Sequence, residues 1–316
     1  MWKAKTIKQK IVILVGITLI TGFLIVRPHM VNKTIDIYGL TKEEALDKIS
    51  KDGIANKYIL KLLFDITGAH IKYGEYKFKG LVSPFEVYKK LTRGEFLLHK
   101  ITIPEGFDTY EIAKRLQEEG ICSKKDFLKY ANDKSYAKIL GLNADSFEGY
   151  LFPDTYFFYK HENPKDIIYM MYQDFKEKMK ENHLKPTKDQ IIIASIVEKE
   201  AKYLKDKPIV ASVIYNRLKK DMPLQMDSTV IYALKKEGKW NGNLTKKDLS
   251  IKSPYNTYLV KGLPPTPICN PGINSIKSAI NPAKSNYLYF VSDKSGNIYF
   301  NKSLKNHIKT VKKVEG

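Results

Sequence analysis

The chain has 316 residues, which allows about two domains. It carries 54 Lys and Arg against 34 Asp and Glu, a net charge of +20, and 43% of its residues are hydrophobic. That apolar share is ordinary for a globular protein and excludes wholesale disorder. Two cysteines, Cys122 and Cys269, are too few for an all-cysteine zinc or iron–sulfur site. They either close one disulfide or remain thiols; spacing does not decide. Sequence-specific nucleic-acid recognition is disfavoured. Only four of the basic residues are Arg (Arg27, Arg93, Arg115 and Arg217), and the lysines are scattered instead of forming a basic arm.

Lys3, Lys5, Lys8 and Lys10 precede the uncharged run Ile11 to Val26, closed by Arg27 and Pro28. Sixteen helical residues rise about 24 Å, somewhat short of a ~30 Å hydrocarbon core, and flanking Lys and Arg can snorkel. A cleaved signal peptide needs a small-residue site after the run, and 26–30 offers none. The expectation is an uncleaved anchor over 11–27 with the lysine-rich tail 1–10 in the cytoplasm, so that the remainder faces outside.

Thr41-Lys42-Glu43-Glu44 opens a helix with capping-box spacing, and 71–78 reads as a short strand pair around Gly74. Ser83-Pro84-Phe85-Glu86 starts another helix, which Gly94 stops. A strand at 100–103 and a helix from Thr109 to Glu119 follow. The aromatic stretch 148–156, broken by Gly149 and Pro153, reads as a surface strand, ahead of an amphipathic helix through Ile167, Met171 and Phe175. Thr187-Lys188-Asp189-Gln190 is a capping box for a helix to about Leu204. Asp206-Lys207-Pro208 opens the next, and Asp227-Ser228-Thr229 caps a shorter one ending at Gly238. Five prolines between Pro254 and Pro271 impose an extended loop, and 287–291 with 297–300 form a closing hairpin around Ser295-Gly296.

Glu200 stands out. On a helix, Ile193, Ile196 and Val197 form an apolar stripe that Glu200 continues, with Tyr203 and Leu204 beyond it. A carboxyl against apolar surface is raised toward neutrality, which suits a general acid. The alternative is a helix-end carboxylate that reaches solvent or pairs with Arg217. Glu198 has Lys202 four residues on and reads as an exposed ion pair. Asn216, Gln225, Asp227, Tyr255 and Asn256 supply amides, a carboxylate and a ring suited to sugar hydroxyls and faces. Asp227 serves equally as a helix cap, and Asn256 as a turn residue. No phosphate loop, metal-binding His pair or serine elbow is present.

Six separated blocks carry a resemblance. They are 148–156 (EGYLFPDTY), 194–200 (ASIVEKE), 210–218 (VASVIYNRL), 224–232 (LQMDSTVIY), 255–265 (YNTY with GLPP) and 281–283 (NPA). In order and spacing they resemble the MltG-type (YceG-like) endolytic murein transglycosylases. The resemblance implies an α+β fold class: an N-terminal transmembrane helix, a small LysM-like α+β module at 30–97 and a larger mixed α+β catalytic domain at 98–316. It implies cleavage of the MurNAc–GlcNAc bond inside peptidoglycan strands, leaving 1,6-anhydro-MurNAc ends, without cofactor or metal. Glu200 is the catalytic acid it implies. Asn216, Gln225, Asp227, Thr229, Tyr255, Asn256 and Glu148 are the candidate substrate-binding residues. Expected partners are glycan strands, peptidoglycan synthases and the cytoplasmic membrane, and no nucleic acid. Expected placement is a single-pass cell-membrane protein with its catalytic domain outside. A muramidase-type hydrolase, with Asp227 as second carboxylate, and a non-enzymatic peptidoglycan-binding scaffold are the rival readings.

Overall fold

A computed structural model describes residues 26–315. The chain forms two compact units, one from residues up to 99 with Phe157–His161, the other from Lys100–Tyr156 with the residues after 161.

In the first unit, strand β1 (His29–Asp36) pairs antiparallel with β2 (Glu75–Val82) along its whole length, from His29 opposite Val82 to Asp36 opposite Glu75. The short hairpin expected around Gly74 is therefore replaced by a long-range pairing. Helices Lys42–Lys51 and Lys57–Thr67 lie between the strands in sequence, and Pro84–Arg93 follows β2. Thr41 closes a capping box as its spacing predicts, and Ser83, read as a helix start, closes one as well. Ile35, Leu46, Ile49, Leu60, Phe64, Tyr76, Phe78 and Leu91 fill one buried core.

The second unit is built around helix Lys188–Glu200, capped by the expected Thr187–Gln190 box. Ile191 to Val197 are all buried, because helices Lys207–Lys219, Asp227–Lys236 and Ile273–Ile280 pack on it from several sides. No single apolar stripe exists here. Glu200 is instead the last residue of the helix, and the backbone turns extended at Ala201. Tyr203 and Leu204, expected to prolong the stripe, are exposed. The hairpin of β5 (Tyr289–Ser292) and β6 (Ile298–Asn301) follows, as the sequence implies, and helix Leu304–Glu315 packs on it. Strands β3 (Leu98–Thr102) and β4 (Thr155–Tyr159) form a third two-stranded sheet.

The fold class is thus mixed α+β, twelve α-helices with small sheets among the described residues, and it requires one correction. No helix among the described residues is long and apolar enough to cross a membrane, so the described structure gives the expected N-terminal transmembrane helix no support. The stretch assigned to it, 11–27, lies outside the described residues except for its last two. Cys122 and Cys269 are both free thiols.

Candidate active site

Helix Lys188–Glu200 is anchored at its C-terminal end by the residue that sequence spacing assigns to solvent. Glu198 is almost completely buried and accepts from Lys207 Nζ at 2.9 Å. Its other oxygen accepts from the Gly272 amide (2.9 Å) and Ser275 Oγ (2.6 Å). Lys202, its expected partner, donates instead to the Ser295 carbonyl. One turn of helix is thereby fixed to two neighbouring helices, and Glu200 is carried with it.

Glu200 is half-buried and lines a cleft of about 460 Å³. Burial raises its pKa above the ordinary carboxylate value, since the charged form loses hydration. A hydrogen bond from Ser228 Oγ to Oε1 (2.6 Å) pulls the other way, while the nearby Asp227 charge adds to the rise. The C-terminal end of a helix also disfavours a negative charge. Glu200 makes no ion pair with Arg217 among the described residues, although it does stand at the end of its helix and faces the opening.

Asp227 and Gln225 share the cleft with Glu200. Asp227 is the first residue of its helix, not the cap; Met226 holds the cap position and no side chain caps that end. The Asp227 carboxylate is consequently turned to the cleft, where Tyr258 Oη donates to it at 2.6 Å. Gln225 adopts a left-handed backbone (φ 53), a conformation that costs a non-glycine residue about 1 kcal/mol or more. It is held there by its amide bond to the Thr257 carbonyl (3.0 Å) and by Arg217 Nη1 on its side-chain oxygen (3.3 Å). Tyr289, Phe290 and Leu304, from the closing hairpin and last helix, complete the wall.

The other candidates are engaged in the scaffold. Glu148 is fully buried and accepts from the Thr109 amide and hydroxyl, Tyr232 Oη and Asn270 Nδ2. Burial drives its pKa up to about 8. Asn256 is fully buried, donating to the Leu249 and Ile251 carbonyls. Thr229 donates to the Met226 carbonyl and meets Thr257. Asn216 holds the carbonyls of Ser285 and Tyr287, and Tyr255 Oη pairs with Thr266 Oγ1. None of these five lines the cleft. Ser228 and Tyr258, which do hold the two carboxyls, escape a sequence reading because a cap hydroxyl and a loop tyrosine look ordinary.

A carboxyl whose pKa is raised by burial, a second carboxylate beside it and a Tyr- and Gln-lined opening can serve acid–base chemistry on a polyhydroxylated substrate. Comparison with known proteins narrows the class. The YceG-like family matches residues 38–313, and the chain belongs to that family. It is 38% identical over 250 residues to the endolytic murein transglycosylase of Bacillus subtilis (strain 168), covering 72% of this chain and 68% of that protein. It is 32% identical over 280 residues to the endolytic murein transglycosylase of Streptococcus pneumoniae (strain D39 / NCTC 7466), covering 76% of this chain and half of that protein. A 2.6 Å crystal structure of a yceG-like protein from Listeria monocytogenes superposes with a TM-score of 0.57 at 32% identity, covering 89% of this chain and all of that one.

Proposed function

We infer that the chain is an endolytic murein transglycosylase that cleaves the MurNAc–GlcNAc bond within glycan strands. The observation that carries this reading is Glu200 at the cleft, half-buried and with its pKa raised by desolvation. Hydrolytic glycosidases generally need two carboxylates, one acid and one nucleophile or base. Intramolecular transglycosylation needs one. Glu200 protonates the departing glycosidic oxygen and becomes a carboxylate. The C6 hydroxyl of the same MurNAc attacks C1, and its proton returns to Glu200. The bond from C1 to the leaving oxygen breaks, the C1–O6 bond forms, and no water is consumed. Gln225 and Asp227 orient the sugars. Acting on murein places the reaction on the extracytoplasmic side, and cutting nascent strands makes peptidoglycan synthases its working partners.

A hydrolytic outcome is the second reading, favoured by Asp227 in the same cleft. Incubating the purified full chain with uncrosslinked glycan strands, followed by mass spectrometry of the new ends, separates the two. Ends one water lighter than a reducing MurNAc, absent with Glu200→Gln, are the expected product. Ordinary reducing ends would transfer the reaction to a hydrolase. Strands left uncut by the native chain would remove the enzymatic reading.

A further inference from the structure

Arg217 is an unusual occupant of the cleft. It is 7% exposed, lies on helix Lys207–Lys219 and lines the same opening as Glu200. Its guanidinium has five N–H donors. Nε donates to the Leu288 carbonyl at 2.7 Å, and Nη1 to the carbonyls of Pro223 (3.0 Å) and Leu224 (2.7 Å). Its Cζ lies over the Tyr289 ring, 5.1 Å from the ring centre. The two N–H groups of Nη2 have no protein partner among the described residues, and Nη2 is not among the atoms sealed from solvent without one.

The charge is unmatched as well. A buried cation is ordinarily paired, because desolvation is expensive. Here Glu200 is bonded by Ser228, Asp227 by Tyr258, and no carboxylate lies within ion-pair distance of Arg217 among the described residues. Neutral donors would have sufficed to hold three carbonyls. The scaffold role accounts for Nε and Nη1 and leaves the charge and Nη2 over.

We propose that Arg217 is a substrate-anion subsite: Nη2 grips a carboxylate of the glycan strand and sets the strand's register over Glu200. The proposal rests on the reading of this cleft as a murein-cleaving site. Two carboxylates on such a strand fit the chemistry, that of the lactyl ether on the sugar and those of the stem peptide. Each is a planar anion matched to a guanidinium.

Three strands distinguish the sources: a peptide-free strand with free lactyl carboxylates, the same strand with those carboxylates converted to methylamides, and a peptide-bearing strand whose lactyl groups are amides. The full chain is assayed on each for kcat/KM. Losing a charge-assisted hydrogen bond lowers binding by roughly tenfold or more. A roughly tenfold fall from the free lactyl to the methylamide strand assigns the lactyl group; a peptide-bearing strand that outruns the methylamide strand by that factor assigns the stem peptide. R217K, which keeps charge but not the fork, should shrink either preference and act chiefly through KM. Rates within twofold across all three strands overturn the subsite. Binding of the same strands to the full-length Glu200→Gln chain, followed by calorimetry, needs no turnover. A carboxylate preference in binding without cleavage by the native chain would sink the reaction and keep the subsite, whereas cleavage without preference sinks the subsite alone. Should R217K unfold, the native-chain comparison still decides.

Discussion

Lys207→Met tests the anchor beneath the helix that carries Glu200. Lys207 is 3% exposed and its Nζ lies 2.9 Å from Glu198 and 3.9 Å from Glu105. Removing one partner of a buried pair leaves the other charge uncompensated, at about 3–5 kcal/mol. Glu198 retains the Gly272 amide and Ser275 hydroxyl as donors, which argues for the lower end, about 3 kcal/mol. Against that, Glu105 and Glu198 already repel each other, and burial with that repulsion raises the Glu105 pKa. In a domain of this size each kcal/mol moves Tm by roughly 2–4 °C, so the variant should melt roughly 6–12 °C lower. Scanning calorimetry and urea unfolding measure both quantities. The double variant Glu198→Gln/Lys207→Met should recover much of the loss, because the buried charge is gone and Glu105, which also loses Lys207, is half exposed to water. A single-variant cost below about 1 kcal/mol, or a double variant no better than the single, would refute the account of this pair as an anchor.

Other outcomes follow from the site and its surroundings. Glu200→Gln should lower kcat at least about 10²-fold, the usual worth of a positioned general acid. It should also raise Tm at pH 8 and leave it unchanged near pH 4: the native carboxyl resists ionisation, and the amide never has to ionise. Glu148 has a folded pKa of about 8 against an ordinary 4.5. Between those values the fold keeps a proton that the unfolded chain has released, so stability declines as pH rises, by at most ~1.4 kcal/mol per pH unit. Glu148→Gln should flatten that slope in urea titrations at pH 5, 6, 7 and 8, and an unchanged slope would assign the decline elsewhere. Gly149→Ala meets both a left-handed backbone (φ 90) and Pro267, whose Cγ lies 2.4 Å from the new Cβ. It should cost about 2 kcal/mol or more by chemical denaturation.

Local signals in the sequence translated well into local structure. The boxes opened by Thr41, Ser83 and Thr187 need only a hydroxyl and an acid or amide three residues on, and all three form. Interactions across long separations were not legible. The partner of β1 lies some forty residues away, and nothing in 29–36 encodes it. Glu198 chose Lys207 over Lys202 because the helix breaks after Glu200, so the i+4 geometry that would bring Lys202 alongside ceases to exist. Glu200 was singled out on a stripe argument whose premise fails in a helix buried all round; its depth comes from the neighbouring helices. Amides illustrate the same limit. Asn216 and Asn256 bond backbone carbonyls, Gln225 faces the cleft, and composition cannot separate an amide that holds a loop from one that meets a sugar.

Asn270 joins stretches of chain that are far apart in sequence. Its oxygen accepts from the amides of Gly149 and Leu151, 121 and 119 residues away, and its nitrogen donates to the Phe107 carbonyl 163 residues back. Thr257, from the same proline-rich stretch, fixes Gln225 and Met226 at the cleft. The cleft itself is lined by residues from Glu200 to His307, so it cannot assemble from a short contiguous fragment, and closing contacts over such separations comes late in folding. A cell exporting a wall-cutting enzyme gains a safeguard from this topology: a nascent or truncated chain has no cutting edge until nearly its last residues are in place.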